Sequence, residues 1–467
     1  MGSPGAVSPR RADEDVEGAP SRAPPGPCDN RPMQPAPRRR SPVVGATALA
    51  ILLAGCGAIS PTPSPSPSPS PTTAPTAASA APTASATQDR AAVYASIEEQ
   101  VTQLRQLERR REVAPKAMDS AALRAHVEAE FESENPADRV AADDRLAKTI
   151  GLIPAASSLA DLYRDLLTSQ VVGLYSPDDQ ELFVLDSGGA LGPSARMVFA
   201  HEFTHALQDQ HFDLLAYSKA SDDRMQGDRA LARLSLVEGD ASVVMFAWAQ
   251  LNLTIDELLK AAQEAADPQA AAVLARMPPI LRDGSLFPYQ SGATFVTALF
   301  QSGGWAAVNR AYADPPVSTE QVMHSAKYES REAPVVVPVP EGLAGRMGEG
   351  WSIGTQDTLG EFQLQIWLRG STGAVSSIAA NAAAGWGGDR IVLLDGPSGA
   401  RAVAMLTAWD TAQDATEFAD AAGAAVASNG LNALVVFQPG STTVRVLIGS
   451  DDATTGRLHQ IFGVSGV

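Results

Sequence analysis

The chain has 467 residues, of which 45% are hydrophobic and 19% charged, enough for two or three domains with sizeable cores. Its formal net charge of −18 lacks the basic footprint that sequence-independent nucleic-acid binding requires, so nucleic acid is excluded as a partner. The two cysteines, Cys28 and Cys56, lie outside the stretch that reads as folded, which excludes a disulfide framework and a thiolate metal site. Any metal must be held by histidine and carboxylate.

Residues 1–32 are polar and Pro-rich and read as a disordered extension, best explained as an over-extended start with Met33 the true one. Arg38-Arg39-Arg40 then precedes the apolar run VVGATALAILLAG, which ends at Cys56. A basic segment before a short apolar one predicts a signal peptide over 33–56, too short to be a stable membrane span. Pro42 and its neighbours fit a twin-arginine signal poorly. Leu53-Ala54-Gly55-Cys56 resembles a bacterial lipobox, whose cysteine is lipidated and becomes the mature N-terminus; the alternative is a cysteine that follows small residues by chance. Residues 57–90 are rich in Pro, Ser and Thr. Alternating Pro and Ser cannot bury apolar surface and favour an extended chain, so this stretch reads as a tether. Together these segments predict an extracytoplasmic protein lipid-anchored to a bacterial membrane through Cys56.

Folded sequence starts near Arg90. Val93, Ile97, Val101, Leu104 and Leu107 recur at helical spacing, predicting a helix over 91–111. Further helices are expected over 120–133 and 159–169. The period then changes: 171–175 and 181–185 flank Ser176-Pro177-Asp178-Asp179 and read as a β-hairpin. Helices follow around 198–214, 229–251, 255–276 and 288–302. Past Pro340, strands are expected at 390–394, 402–409, 433–437 and 443–449. Asp410 should cap a helix running to about 427, with a last helix from near 452. This is an α+β chain. A mainly helical domain over 91–335, with a β-hairpin before its central helix, precedes a small α+β domain with an antiparallel sheet over 336–467.

Residues 198–214 read VFAHEFTHALQDQHFDL and contain the pentapeptide His201-Glu202-Phe203-Thr204-His205. Residues four apart on a helix lie one turn apart on one side, so both imidazoles project toward one point with Glu202 beside it. Gln208, Asp209 and Phe212 share that side. The competing reading is a merely solvated face. Small or apolar residues flank the pentapeptide and no charge occupies its inner positions, unlike most solvated faces. A second segment, DRALARLSLVEGDASVVMFAW, places Glu238 in the middle of an apolar stripe with Leu231, Leu234, Ala241 and Met245. An unpaired buried carboxylate costs several kcal/mol or more, so Glu238 should have a cation partner: a metal held by the two histidines, or a buried Arg or Lys. Gly239 and Ala241 would let its helix approach the His201–His205 helix closely. Two His and one Glu leave a fourth zinc position open, which is the catalytic arrangement. The hairpin could also offer an edge strand for an extended peptide.

HEFTHALQD followed by a helix bearing Glu238 resembles the thermolysin-type gluzincin metallopeptidases. More closely still, the chain resembles a group of uncharacterised bacterial and archaeal surface proteins and lipoproteins with a HExTHALQDQHFDL block. GLYSPDDQELFV, DRALARLSLVEGDAS, FPYQSGATFV, GGWAAVNRAYADPPVSTEQVMHSAKY, TLGEFQL and AAGWGGDR carry that resemblance, which spans about 91–450. It implies a zincin-like metallopeptidase domain with Zn2+ held by His201, His205 and Glu238. Peptide bonds would be hydrolysed by zinc-activated water, with Glu202 as general base and acid. Asp209 matches an acid that supports the site from behind. His324 is the candidate for stabilising the oxyanion, with Tyr328 and Tyr289 after it. One departure concerns the Asp that orients a metal histidine four residues after the Glu ligand; here that position is Ser242. Asp240 falls on the opposite side, near Arg233, and reads as half of a surface ion pair. His211 lies at the edge of the metal face, and His126 and His459 read as ordinary. The expected substrate is a peptide or protein. The alternatives are a catalytically silent zinc-binding surface scaffold and a highly selective processing enzyme.

Overall fold

A computed structural model describes residues 90–462, apart from 171, 187, 189, 220–224 and 371–375, together with Gly2. The signal-like run, Cys56 and the tether lie outside the described residues. Among the described residues, no helix is long and apolar enough to cross a membrane.

Helix α1 (Arg90–Arg105) buries Ile97 and Val101 and ends six residues short of its expected limit. Strand β1 (Pro115–Met118) leads to α2 (Ser120–Glu134), which Asp119 caps through the N–H of Ala122. Helix α3 (Ala137–Thr149) was not expected: ADRVAADDRLAKT buries only Ala142 and Leu146, too few apolar positions to give a helical signal. After α4 (Leu159–Gln170), β2 (Gly173–Ser176) and β3 (Glu181–Leu185) form the expected hairpin. Parallel pairing of β1 with β3 completes a three-stranded sheet of order β1-β3-β2.

Helix α5 (Pro193–Phe212) opens with proline at its first position and closes where Asp213 turns left-handed, φ 51°. Both are ordinary helix punctuation. Short α6 (Leu214–Lys219) leads to the 26-residue α7 (Gly227–Asn252). The single helix expected over 255–276 is two, α8 (Ile255–Ala265) and α9 (Pro268–Arg276). Asp267 caps the second through the N–H of Gln269, and Pro268, having no N–H, cannot continue the first. Helix α10 (Pro279–Ala313) starts earlier than expected and passes through Pro288. The expected end at 302 coincides with a kink at Gly303-Gly304, φ −171° and 61°.

Short helices α11 (Thr319–Met323), α12 (Ser325–Glu329) and α13 (Leu343–Met347) lead into an antiparallel sheet. Its strands are β4 (Ser352–Asp357), β5 (Trp386–Asp395), β6 (Arg401–Trp409), β7 (Ala433–Phe437) and β8 (Thr443–Gly449), in the order β4-β5-β6-β8-β7. Helices α14 (Gly360–Leu368) and α15 (Ser377–Ala383) precede β5, α16 (Ala412–Ser428) follows β6, and α17 (Asp452–Phe462) ends the described chain. Strands buried on two faces read as continuous apolar runs, which is why β5 and β6 were legible. Ile391, Leu393, Val403 and Met405 pack with α14–α16, and the alternate residues Val392, Leu394, Ala402 and Ala404 pack with α13 and α17. β4, at the sheet edge, carries the polar SIGTQD and gave no such signal. The fold is α+β with an antiparallel sheet.

The larger core gathers α1, α5, α7 and α10 around Phe199, Phe203, Leu236, Trp248 and Phe295. At its centre α7 and α10 touch backbone to backbone. A Cβ on Gly239 would lie 2.2 Å from the Gly292 carbonyl carbon and 2.3 Å from its oxygen. Glycine is required there because no side-chain atom fits. The close approach expected from Gly239 is therefore made to α10 and not to α5.

Candidate metal centre

Helix α5 carries His201 and His205 one turn apart, and α7 lies across it so that Glu238 faces both. His201 Nε2 and His205 Nε2 are 3.0 Å apart. Glu238 Oε2 lies 3.2 Å from the first and 3.4 Å from the second. Glu238 is 1% exposed, and its partners are these two imidazoles, not Arg or Lys. A tetrahedral zinc with ligands at about 2.0–2.1 Å separates its donor atoms by roughly 3.3 Å. The three atoms already stand at that spacing.

The state of His205 follows from its neighbours. Gln208 Nε2 donates to Val237 O at 3.0 Å and to Asp240 Oδ2 at 3.1 Å. Both are acceptors, so the Gln208 amide has one orientation, with Oε1 toward His205 Nδ1 at 2.8 Å. That oxygen only accepts, so Nδ1 carries a proton and Nε2 is the nitrogen turned toward His201 and Glu238. Asp240 is held in turn by both forks of Arg105, at 2.7 and 3.0 Å, and by Tyr312 Oη at 2.9 Å. Asp240 and Arg105 are fully buried. The surface ion pair expected between Asp240 and Arg233 is therefore overturned. Arg233 instead donates to Tyr217 O, and α1 and α10 cover the side of α7 that the sequence left open. His201 Nδ1 is buried beside the Ala241 backbone without a hydrogen-bond partner, and Ser242 Oγ is likewise unpartnered.

Glu202 sits one residue from the first histidine, fully buried. Its Oε2 accepts the N–H of Tyr175 at 2.8 Å, and its Oε1 has no partner. Gly173 lets β2 lie this close to α5, since a Cβ there would meet Val198 Cγ1 at 2.9 Å. The phenol of Tyr175 donates to Asp209 Oδ2 at 2.7 Å, and Arg111 reaches the same oxygen at 3.1 Å. Asp209 thus supports the site from behind, through the strand that holds Glu202. Gln208 takes the histidine. β2 is an edge strand, but all four of its residues are buried and its Tyr175 N–H is spent on Glu202, so it offers no open edge to a peptide.

Burial pushes the Glu202 carboxyl up to about 8, with the Glu238 charge adding to the rise and His205 opposing it. Burial works against the charged form of His205, but Glu238 and Glu202 outweigh it and lift it to about 9. His201 is lowered, chiefly by burial. Burial alone would raise Glu238, but the two histidines hold it down to about 2. In the metal-free cluster Glu238 is thus ionised and its charge is met by His205, which gives up its Nε2 proton when a metal binds.

Residues 351–458 match the family model of a domain of unknown function (DUF8575). That match covers the antiparallel sheet and its helices and leaves out the His201–His205–Glu238 cluster. No curated protein and no solved structure matches the chain.

The three expected ligands and Glu202 are thus brought together. His324 pairs its Nε2 with Glu361 Oε1 of α14 at 2.9 Å. Tyr328 Oη donates to Asp314 O. Tyr289, third among the expected candidates, has its ring 6.0 Å from that of His201. It lines a cavity of about 300 Å³ together with Glu238, Leu231, Leu234, Leu281 and Phe362. His211 lies at the surface against Glu108 O. Sequence reasoning missed Arg105, Arg111, Tyr175 and Tyr312. None lies at helical spacing from the motif, and only the fold brings them to it.

Proposed function

We propose that this chain is a zinc metallopeptidase of gluzincin type, with a zincin-like domain built on α5 and α7. On this reading it acts outside the cytoplasm, tethered to a bacterial membrane through a lipid on Cys56. The observation that carries the reading is the convergence of two imidazole nitrogens and one carboxylate oxygen at zinc-ligand spacing, with a buried glutamate adjoining them. Two nitrogens and one carboxylate suit zinc and leave one coordination position open. What the metal supplies when bound is Lewis acidity, which brings the pKa of its water to about 7.

The chain's own residues do the rest. The Tyr175 N–H fixes Glu202 through Oε2, leaving Oε1 to take a proton from the attacking water and return it to the leaving amine. Gln208 keeps the His205 lone pair turned inward. Tyr289, which lines the same cavity as Glu238, is with His324 a candidate to donate to a developing oxyanion. The apolar cavity takes a side chain of the substrate peptide.

The test is Glu202→Gln, which keeps the acceptor oxygen for Tyr175. It should retain zinc at the wild-type level and abolish cleavage of a casein or peptide library. A variant that cleaves as well as wild type sinks the proposal. A second reading, a silent zinc-binding scaffold, draws support from burial: the four site side chains are at most 1% exposed. It predicts bound zinc and an empty cleavage screen with wild-type protein.

A further inference from the structure

The three-stranded sheet carries a second group of metal-ligating side chains on the side away from α5. His126 and Glu130 lie one turn apart on α2, with Nε2 and Oε1 3.5 Å from each other. The β2–β3 turn brings Asp179 to the same place, and one ligand atom from each of the three falls within 4.8 Å of the others. Ser176, fully buried, sets its Oγ 3.4 Å from Asp179 Oδ2 and within hydrogen-bond reach of Glu130.

Two observations separate this group from a solvated acidic patch. His126 Nε2 is shielded from solvent and has no hydrogen-bond partner, while its ring is seated 4.5 Å from that of Phe183. A third cluster makes the contrast. Glu320, Glu332 and Asp410 also converge, but Lys327 Nζ stands among them at 2.6–2.7 Å, so their charge is already met.

We propose that His126, Glu130 and Asp179 form a second divalent-cation site, fitted to a zinc-like transition ion and separate from the His201–His205–Glu238 centre. The imidazole selects such an ion over calcium or magnesium, which take oxygen ligands alone. Asp179 is exposed, which leaves room on its side for water to complete the coordination. The place has a consequence for the first site. Ser176 follows Tyr175, whose N–H holds Glu202, so an ion here pins the hairpin at the residue next to the one that positions that glutamate.

The experiment is zinc stoichiometry of the full chain at chelator-buffered zinc, with thermal melting alongside, for wild type, His126→Ala/Asp179→Asn, Glu130→Gln and His201→Ala/His205→Ala. Wild type should hold two equivalents, and each variant one. Melting temperature should rise as the second equivalent binds, and that rise should vanish in His126→Ala/Asp179→Asn and in Glu130→Gln. His126 is half-buried and Asp179 exposed, so their variants should fold, and the melting curve verifies it. Unchanged stoichiometry in both of these variants overturns the site. So does a wild type holding no zinc, or a single equivalent that His201→Ala/His205→Ala removes. Loss in the α2 and hairpin variants, with none in His201→Ala/His205→Ala, supports this site and sinks the reading of the other.

Discussion

At the scale of single residues, the centre depends on one amide whose orientation is forced from behind. Gln208 links His205 Nδ1 to the buried Asp240–Arg105 pair. Groups that orient a metal histidine are typically worth 10- to 100-fold in metal affinity. Gln208→Ala should therefore weaken zinc binding by roughly 10- to 100-fold in a chelator competition while leaving the fold intact; unchanged affinity would falsify the orienting role. The ligands themselves were legible because helical spacing alone sets His201, Glu202 and His205 on one side, and because a lone carboxylate in an apolar stripe demands a partner. The partners behind them were not. Arg105 meets Asp240 across 135 positions, a distance over which local pattern says nothing. Asp240 was misread because the face of α7 it occupies looks free until α1 and α10 are packed against it.

At the scale of elements, the geometry of the centre is set by how closely three helices approach. Glu238 is presented by the turn of α7 that carries Gly239, and Gly239 touches Gly292 of α10 through main-chain atoms that cannot give way. Gly239→Ala should cost about 3 kcal/mol, the upper part of the ordinary overpacking range. Because Glu238 is the adjacent residue, zinc affinity should fall with it. Urea unfolding combined with metal titration checks both, and a stable variant that binds zinc normally would refute the close-contact account. Elements with strong periodicity were found by pattern, and the strands of the antiparallel sheet were found by continuous apolar runs. Helix α3, with two buried positions, and the polar edge strand β4 were invisible for the reason that makes them peripheral: they bury too little to leave a pattern.

At the scale of the whole molecule, the start of α7 meets the antiparallel sheet through three carboxylates, the buried Asp228 and Asp389 and the half-buried Asp357. Asp228 accepts both the N–H and the hydroxyl of Thr319. Asp357 accepts the N–H groups of Gly227 and Thr358, both on Oδ1, and Asp389 accepts those of Leu359 and Gly360. Burial pushes Asp357 up to about 7 and Asp389 to about 6, and Asp228 well above its ordinary value. A folded-state pKa above the unfolded one means the folded state binds protons more tightly. The stability this contributes is complete below about pH 4 and is lost as pH rises to about 7. Asp357→Asn keeps the accepting oxygen and removes the titration. Its melting temperature minus that of wild type should increase by several degrees as pH rises from 4 to 8. A difference that stays flat with pH would count against the joint's titration.

The cavity above Glu238 is walled in part by a satellite apolar cluster, Ile153, Leu159, Leu166, Met277 and Leu281, separate from the large core that holds the ligands. At about 300 Å³ it sits at the small end of ligand pockets, which run to roughly 1,000 Å³, and has room for a large side chain but not for a peptide on both sides of a scissile bond. A cover with its own small core can lift without melting what lies beneath it. If substrate enters by parting α4 from the start of α10, loosening this small apolar cluster should raise turnover while leaving metal affinity unchanged.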